Sequence, residues 1–237
     1  MHITENLTGM VAFPGIRPET VTMSRRHWAG YVALGDALTE GVRDPLTPSV
    51  SSWSSRLAAI LDGTGGDTIL LLEHQPVYTI GRLRDRSSLR DSATLPHPVH
   101  EINRGGQATY HGPGQLVGYP ILDLTPRGKD LHQHLRKLED ALIRACARFG
   151  VVAGRRDGLT GVWVENRKLA SIGVGVRKWI SMHGFAINIT KESLPPFFAI
   201  TPCGIDGVSM SCLEDEAGRE ITVGEAVEVI SEELRQL

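Results

Sequence analysis

This sequence predicts an α+β fold. Thr160 to Asn188 reads as two or three consecutive strands, with Glu165-Asn166-Arg167 as a turn. Before it, Leu131, Leu135, Leu138, Leu142, Cys146 and Phe149 recur at helical spacing, and Gly150 follows as a stop signal. Strand runs mixed with helices, without strict alternation, point away from a doubly wound parallel sheet.

The other elements follow in chain order. Trp28, Tyr31, Val32, Leu38 and Val42 make a weak helical stripe, and Pro45, Pro48 and the serines after it mark a loop. Gly63-Thr64-Gly65-Gly66 follows no strand and reads as a turn. Thr68 to Leu72 is a short apolar strand. Ile121-Leu122-Asp123-Leu124 reads as another, short and buried. Thr222-Val223-Gly224-Glu225 has the form of a capping box that opens a last helix. There is no internal repeat and no dividing linker, so residues 27–237 read as one domain. Residues 1–26 read as an N-terminal extension, either flexible or an extra edge element.

Composition bounds the function. Of 237 residues, 41% are hydrophobic and 22% charged, as in ordinary globular proteins. A formal charge of -2 argues against a general nucleic-acid binder. The N-terminus lacks a secretory pattern, and no apolar run is long enough to span a bilayer. Three cysteines do not make a disulfide framework and fit a reducing cytoplasm. Cys146 lies in the apolar stripe and Cys212 has no readable polar setting, so both read as structural. Cys203 sits between Pro202 and Gly204, which suits a rigid, exposed presentation. Local sequence leaves open whether it is a nucleophile.

The most informative stretch is Arg104-Gly105-Gly106-Gln107-Ala108-Thr109-Tyr110-His111-Gly112-Pro113-Gly114-Gln115-Leu116-Val117-Gly118-Tyr119-Pro120. Glycine at this density costs backbone entropy and implies tight geometry or close approach of a backbone or ligand. The stretch resembles the signature of lipoyl(octanoyl) transferases. Four further motifs resemble that family in its order: Glu73-His74-Gln75-Pro76-Val77-Tyr78-Thr79-Ile80-Gly81-Arg82, Lys168-Leu169-Ala170-Ser171-Ile172-Gly173-Val174, His183-Gly184-Phe185-Ala186-Ile187-Asn188-Ile189 and Thr201-Pro202-Cys203-Gly204-Ile205. The similarity runs from about Trp28 to Leu213, and departs over the first 26 residues and from Arg43 to Asp67.

The resemblance implies a mixed, largely antiparallel sheet with flanking helices, the catalytic fold of biotin and lipoate protein ligases. It implies transfer of an octanoyl or lipoyl group from acyl carrier protein to lysines of lipoyl domains. Those domains belong to 2-oxoacid dehydrogenase complexes and the glycine cleavage H protein. No cofactor or metal is expected. Cys203 is the implied nucleophile. Lys168, which local sequence alone would read as a solvated turn charge, is the implied group beside it that holds the thiolate and moves protons. The segment Arg104 to His111, with Ser171-Ile172-Gly173 and Gly184-Phe185-Ala186, is implied to hold the acyl chain. His183 and Tyr119 are expected to support the site. Arg82, Arg84, Arg86 and Arg90 fall within nine residues and offer a local basic patch, with Arg84 and Arg86 expected to meet acids of the carrier.

Rival readings are an ATP-dependent lipoate or biotin ligase, a non-catalytic acyl-carrier binder, and a metal site of Cys203, His111 and His183. The Gly-Arg-Gly-Arg-type loop of biotin ligases is missing, and a nucleophilic cysteine is superfluous in a ligase. A mere binder does not need Lys168 and Cys203 together in matched motifs. The metal site fits no standard ligand spacing.

Overall fold

A computed structural model describes residues 65–82, 86–90, 94–204 and 207–237, with Cys203 described in its backbone alone. The expected N-terminal extension, the stripe from Trp28 to Val42 and Arg84 lie outside the described residues.

Two sheets carry the fold. The larger runs in the order β1 (Thr68–Leu72), β5 (Gln115–Ile121), β9 (Ile180–Asn188), β8 (Arg167–Arg177), β7 (Leu159–Val164), β6 (Gly154–Arg156). All these neighbours pair antiparallel, while the short β10 (Ser209–Met210) joins β8 in parallel. The smaller sheet places β2 (Val77–Ile80) between β3 (Val99–Glu101), parallel to it, and β4 (Thr109–His111), antiparallel. This is the expected α+β class with a mixed, largely antiparallel sheet. The strand block from Thr160 resolves into β7, β8 and β9. The β8–β9 hairpin turns at Lys178 and Trp179, both at positive φ, which matches the twist of a tight hairpin.

Helix α1 (Leu131–Arg148) starts where the Asp130 carboxylate accepts from Gln133 N–H, and ends before Gly150 at φ 78. A short α2 (Leu213–Ala217) precedes α3 (Val223–Leu234), capped by the Thr222 hydroxyl accepting from Glu225 N–H. Leu138, Leu142 and Cys146 of α1 pack with Val227 and Ile230 of α3 against Ile69, Leu116, Ala170 and Ile187. Each fully buried leucine or isoleucine there contributes about 1.5–3 kcal/mol. The opposite face of the sheet carries Leu70, Leu72, Val117, Tyr119 and Ala186, as the two-residue period of strands requires. Tyr78, Ile80, Leu89, Ala108, Tyr110 and Phe197 pack around the smaller sheet.

One expected strand is displaced. Ile121-Leu122-Asp123-Leu124 is not a strand of its own; β5 ends at Ile121, and Asp123 makes an isolated bridge with Ile180. The strand occupies the second half of the glycine-rich stretch. Gly118 sits there because the Phe185 ring fills the space of a side chain, with Cζ 2.2 Å from an added Cβ. Pro120 is tolerated because it lies beyond the residues of β5 that pair with β9.

Candidate active site

The glycine-rich segment lies over the larger sheet and roofs a groove. Gly105 N–H donates to Val174 O at 3.1 Å, and Arg82 N–H to Arg104 O at 2.9 Å. These contacts require glycine in the partners. A Cβ on Gly173 would come 2.8 Å from Gly105 O, and one on Gly81 2.0 Å from Gly106 O. Gly184 is likewise pressed by Gly118 O. Gly173 and Gly184 are thus set by backbone packing.

The groove encloses about 500 Å³, including space open to solvent. Ile102, Arg104, Gly105, Gly106, Gln107, Thr109 and His111 line it together with Val117, Tyr119, Ser171, Ile172, Gly173, His183, Gly184, Phe185 and Ala186. Two residues of the expected acyl-binding segment are absent from the lining. Ala108 and Tyr110 are buried on the other side, against Tyr78 and Phe197. Side chains alternate along β4, so Thr109 and His111 reach the groove and their neighbours turn away. Sequence reasoning missed Ile102 and Val117.

A buried chain of hydrogen bonds fixes the polar wall. Arg104 donates from Nη2 to Thr79 O at 2.9 Å and to Thr79 Oγ1 at 2.8 Å. The Thr79 hydroxyl meets His111 Nε2 at 3.4 Å, and His111 Nδ1 meets Gln115 Oε1 at 2.8 Å. Gln115 Nε2 donates to Asn188 Oδ1 at 2.9 Å and to Tyr110 O at 3.1 Å. Asn188 Nδ2 donates to Ser211 O at 3.0 Å, and Ser211 N–H to Lys168 O at 3.0 Å. The backbone carbonyls Tyr110 O and Ser211 O can only accept, so they orient both amides and leave Gln115 Oε1 to accept from His111 Nδ1–H. Thr79 donates to Nε2, and His111 is neutral with its proton on Nδ1.

The titration of the histidines agrees. Burial, with the nearby His74 and Arg104, pushes His111 down to about 3. Burial and the Arg104 charge push His183 down to about 4. His74 falls to about 4 through burial, and its Nε2 meets the Tyr119 hydroxyl of the groove wall at 2.7 Å. His111 and His183 are therefore neutral near pH 7. Thr79, Gln115, Asn188 and His74 lay inside or near the quoted motifs without an assigned role.

Lys168 opens β8. It is 3% exposed, and its Nζ lies 5.0 Å from the centre of the Trp163 ring. The solvated turn charge that local sequence favours is thereby replaced by a buried cation. Cys203 lies in a 3-10 turn, Pro202–Gly204, where Gly204 N–H donates to Thr201 O at 3.0 Å. Gly204 is at φ 66, and an added Cβ would overlap the Gln107 amide of the groove loop. After this turn the chain returns as β10, with Met210 beside Lys168. The Cys203 side chain itself lies outside the described atoms. Burial pushes the Cys146 thiol up to about 12 and Cys212 up to about 11, so both are inert.

Of the basic run, Arg82, Arg86 and Arg90 are exposed. Arg86 pairs with Glu101 at 3.5 Å, and Arg90 donates to Phe198 O beside the 78% exposed Phe198 ring. Among the described residues, no helix is long and apolar enough to cross a membrane.

The profile of the lipoyl protein ligase A/B catalytic domain matches residues 52–235, a span that holds every groove residue, Lys168 and Cys203. The chain belongs to this family. Among its family relatives, an octanoyltransferase of Geobacter sulfurreducens is 59% identical over 172 residues, covering 72% of each protein. One of Geobacter metallireducens is 53% identical over 168 residues, covering 71% of this chain and 77% of that protein. Solved structures share the family fold at lower identity. Lipoate-protein ligase A bound with ATP aligns with a TM-score of 0.65 at 15% identity, over 87% of this chain and 83% of that one. A bi-partite lipoate protein ligase from Thermoplasma acidophilum aligns at 0.62 and 14% identity, over 87% and 82%.

Proposed function

We propose that this chain transfers an octanoyl group from acyl carrier protein to the acceptor lysine of a lipoyl domain, through a thioester on Cys203. The chain is an acyltransferase by its family and by its similarity to curated octanoyltransferases. The observation that carries the finer reading is the groove. It has an apolar base at Ile172 and Phe185, a polar roof from the glycine-rich loop, and Gln107 packed against the turn of Cys203.

The Cys203 thiolate attacks the carrier thioester carbonyl. A new S–C bond forms, the carrier S–C bond breaks, and the carrier thiol leaves with the proton that Lys168 took from Cys203. One thioester replaces another, so the step needs no nucleotide. The neutral ε-amine of the acceptor lysine then attacks the acyl-enzyme. Its C–N bond forms, the Cys203 S–C bond breaks, and Lys168 takes the amine proton. The amide product is more stable than the thioester and draws the sequence forward. His111 and His183 are neutral, and Lys168 is the cation assigned to the thiolate. Backbone N–H groups of the glycine-rich loop are the donors for the tetrahedral oxyanion. Lipoyl domains of 2-oxoacid dehydrogenase complexes and the glycine cleavage H protein are the acceptors, and the cytoplasm is the compartment.

The likeness to a lipoate ligase bound with ATP keeps an ATP-dependent ligase as the second reading. Incubation with octanoyl carrier and a lipoyl domain, without ATP, separates the two. Octanoylated lipoyl domain supports the transferase. Product that forms from free octanoate only when ATP is added supports the ligase and overturns this reading.

A further inference from the structure

A lysine side chain is a flexible four-carbon stem, so a buried one needs something to set its path. Lys168 and Trp163 face each other across the β7–β8 pair, at the point where the register shifts. Such a bulge re-aims the side chain beside it. The Lys168 ammonium lies 5.0 Å from the indole centroid. Two residues before Trp163, Gly161 stands at φ 131, and an added Cβ would lie 2.8 Å from Lys168 Cε and 3.4 Å from Nζ. The stem therefore passes through the space that a side chain at 161 would fill.

Helix α1 holds that gap in place. Gly161 N–H donates to Glu139 Oε1 at 3.0 Å, and Glu139 is wholly buried. Its other oxygen takes Arg136 Nη1 at 2.6 Å and Arg155 Nε at 2.7 Å. Arg156 also approaches the Trp163 ring, at 5.4 Å, but it is exposed to solvent. A ring face attracts a desolvated cation more strongly than a hydrated one.

We propose that Trp163 is the positioning residue of Lys168: its ring face fixes the ammonium while Gly161, pinned by Glu139, gives the stem its path. This rests on the reading of Lys168 as the proton-moving group. Trp163 acts through that lysine, so it should alter the chemical step and leave substrate binding unchanged.

The test compares Trp163→Phe, which keeps an aromatic face, with Trp163→Leu, which fills apolar space without one. Lys168→Ala is assayed beside them in the full chain. Trp163→Leu should lower kcat by about tenfold or more with KM for octanoyl carrier unchanged, and Phe should recover most of the loss. Equal losses for Phe and Leu, or a raised KM with unchanged kcat, would make Trp163 a packing residue and overturn the proposal. If Leu does not fold, Trp163→Met, which keeps apolar bulk without a ring face, replaces it in a cycle with Lys168→Ala. Met that lowers kcat in the wild type but has no further effect once Lys168 is gone supports the proposal, and additive effects overturn it. Wild-type kcat in Lys168→Ala would refute the role given to Lys168. A loss in Lys168→Ala beside an unaffected Trp163→Leu would refute Trp163 alone.

Discussion

Replacing Gln115 with leucine tests the buried hydrogen-bond chain. Gln115 is almost fully buried and holds three groups at once: His111 Nδ1–H, Asn188 Oδ1 and Tyr110 O. Leucine has nearly the same volume, so little cavity forms and the loss is polar. Each buried group left without a partner costs about 1–3 kcal/mol. Two or three such groups give a loss of about 4 kcal/mol. At about 2–4 °C per kcal/mol for a domain of this size, the melting temperature should fall by roughly 8–16 °C. Urea unfolding followed by tryptophan fluorescence gives the free energy directly. Gln115→Glu should be comparably destabilised, because a carboxylate accepts from His111 but sets an oxygen against Asn188 Oδ1 and Tyr110 O. A loss below about 1 kcal/mol in both variants would refute the assigned direction of donation.

Three further outcomes are expected. Lys168→Ala should slow alkylation of Cys203 at neutral pH, because a nearby cation favours the reactive thiolate; unchanged alkylation kinetics would remove Lys168 from that role. Acid should destabilise the fold early. His74, His111, His134 and His183 are all held below their ordinary value, between about 3 and about 4. A histidine with a lowered folded pKa stabilises fully above the unfolded value of about 6.5, and that stability is lost as pH falls toward the folded value. Each should lose on the order of 1 kcal/mol between pH 7 and 5.5, so a urea midpoint unchanged over that interval would contradict these assignments. Arg86→Glu should slow acylation by carrier-bound octanoate, most at low salt, and leave a small octanoyl thioester unaffected; equal slowing with both donors would place docking elsewhere.

The two long helices and the β7–β9 block were legible because their signals are local. The apolar stripe from Leu131 and the stop at Gly150 mark α1, Thr222 opens α3, and the Glu165 turn separates β7 from β8. β5 was hidden by its own packing, since Gly118 and Pro120 read as breakers until the Phe185 ring and the limit of β9 pairing explain them. The side of the groove that each residue faces depends on β4 being a strand, which Ala108 and Tyr110 did not reveal. The Arg104–Thr79–His111–Gln115–Asn188 chain draws on separate segments, and no local pattern announces it. Lys168 looked solvated because its burial comes from Trp163 across a bulge and from β10, which arrives much later in the chain.

The most direct test of the account is the mass of the protein after incubation with octanoyl carrier and no ATP, followed by peptide mapping. The account predicts one octanoyl adduct on Cys203, labile to hydroxylamine and transferred on addition of a lipoyl domain. Cys203→Ala should stay folded, carry no adduct and lose at least about three orders of magnitude in turnover. An adduct on Cys146 or Cys212, or substantial turnover by Cys203→Ala, would contradict the mechanism.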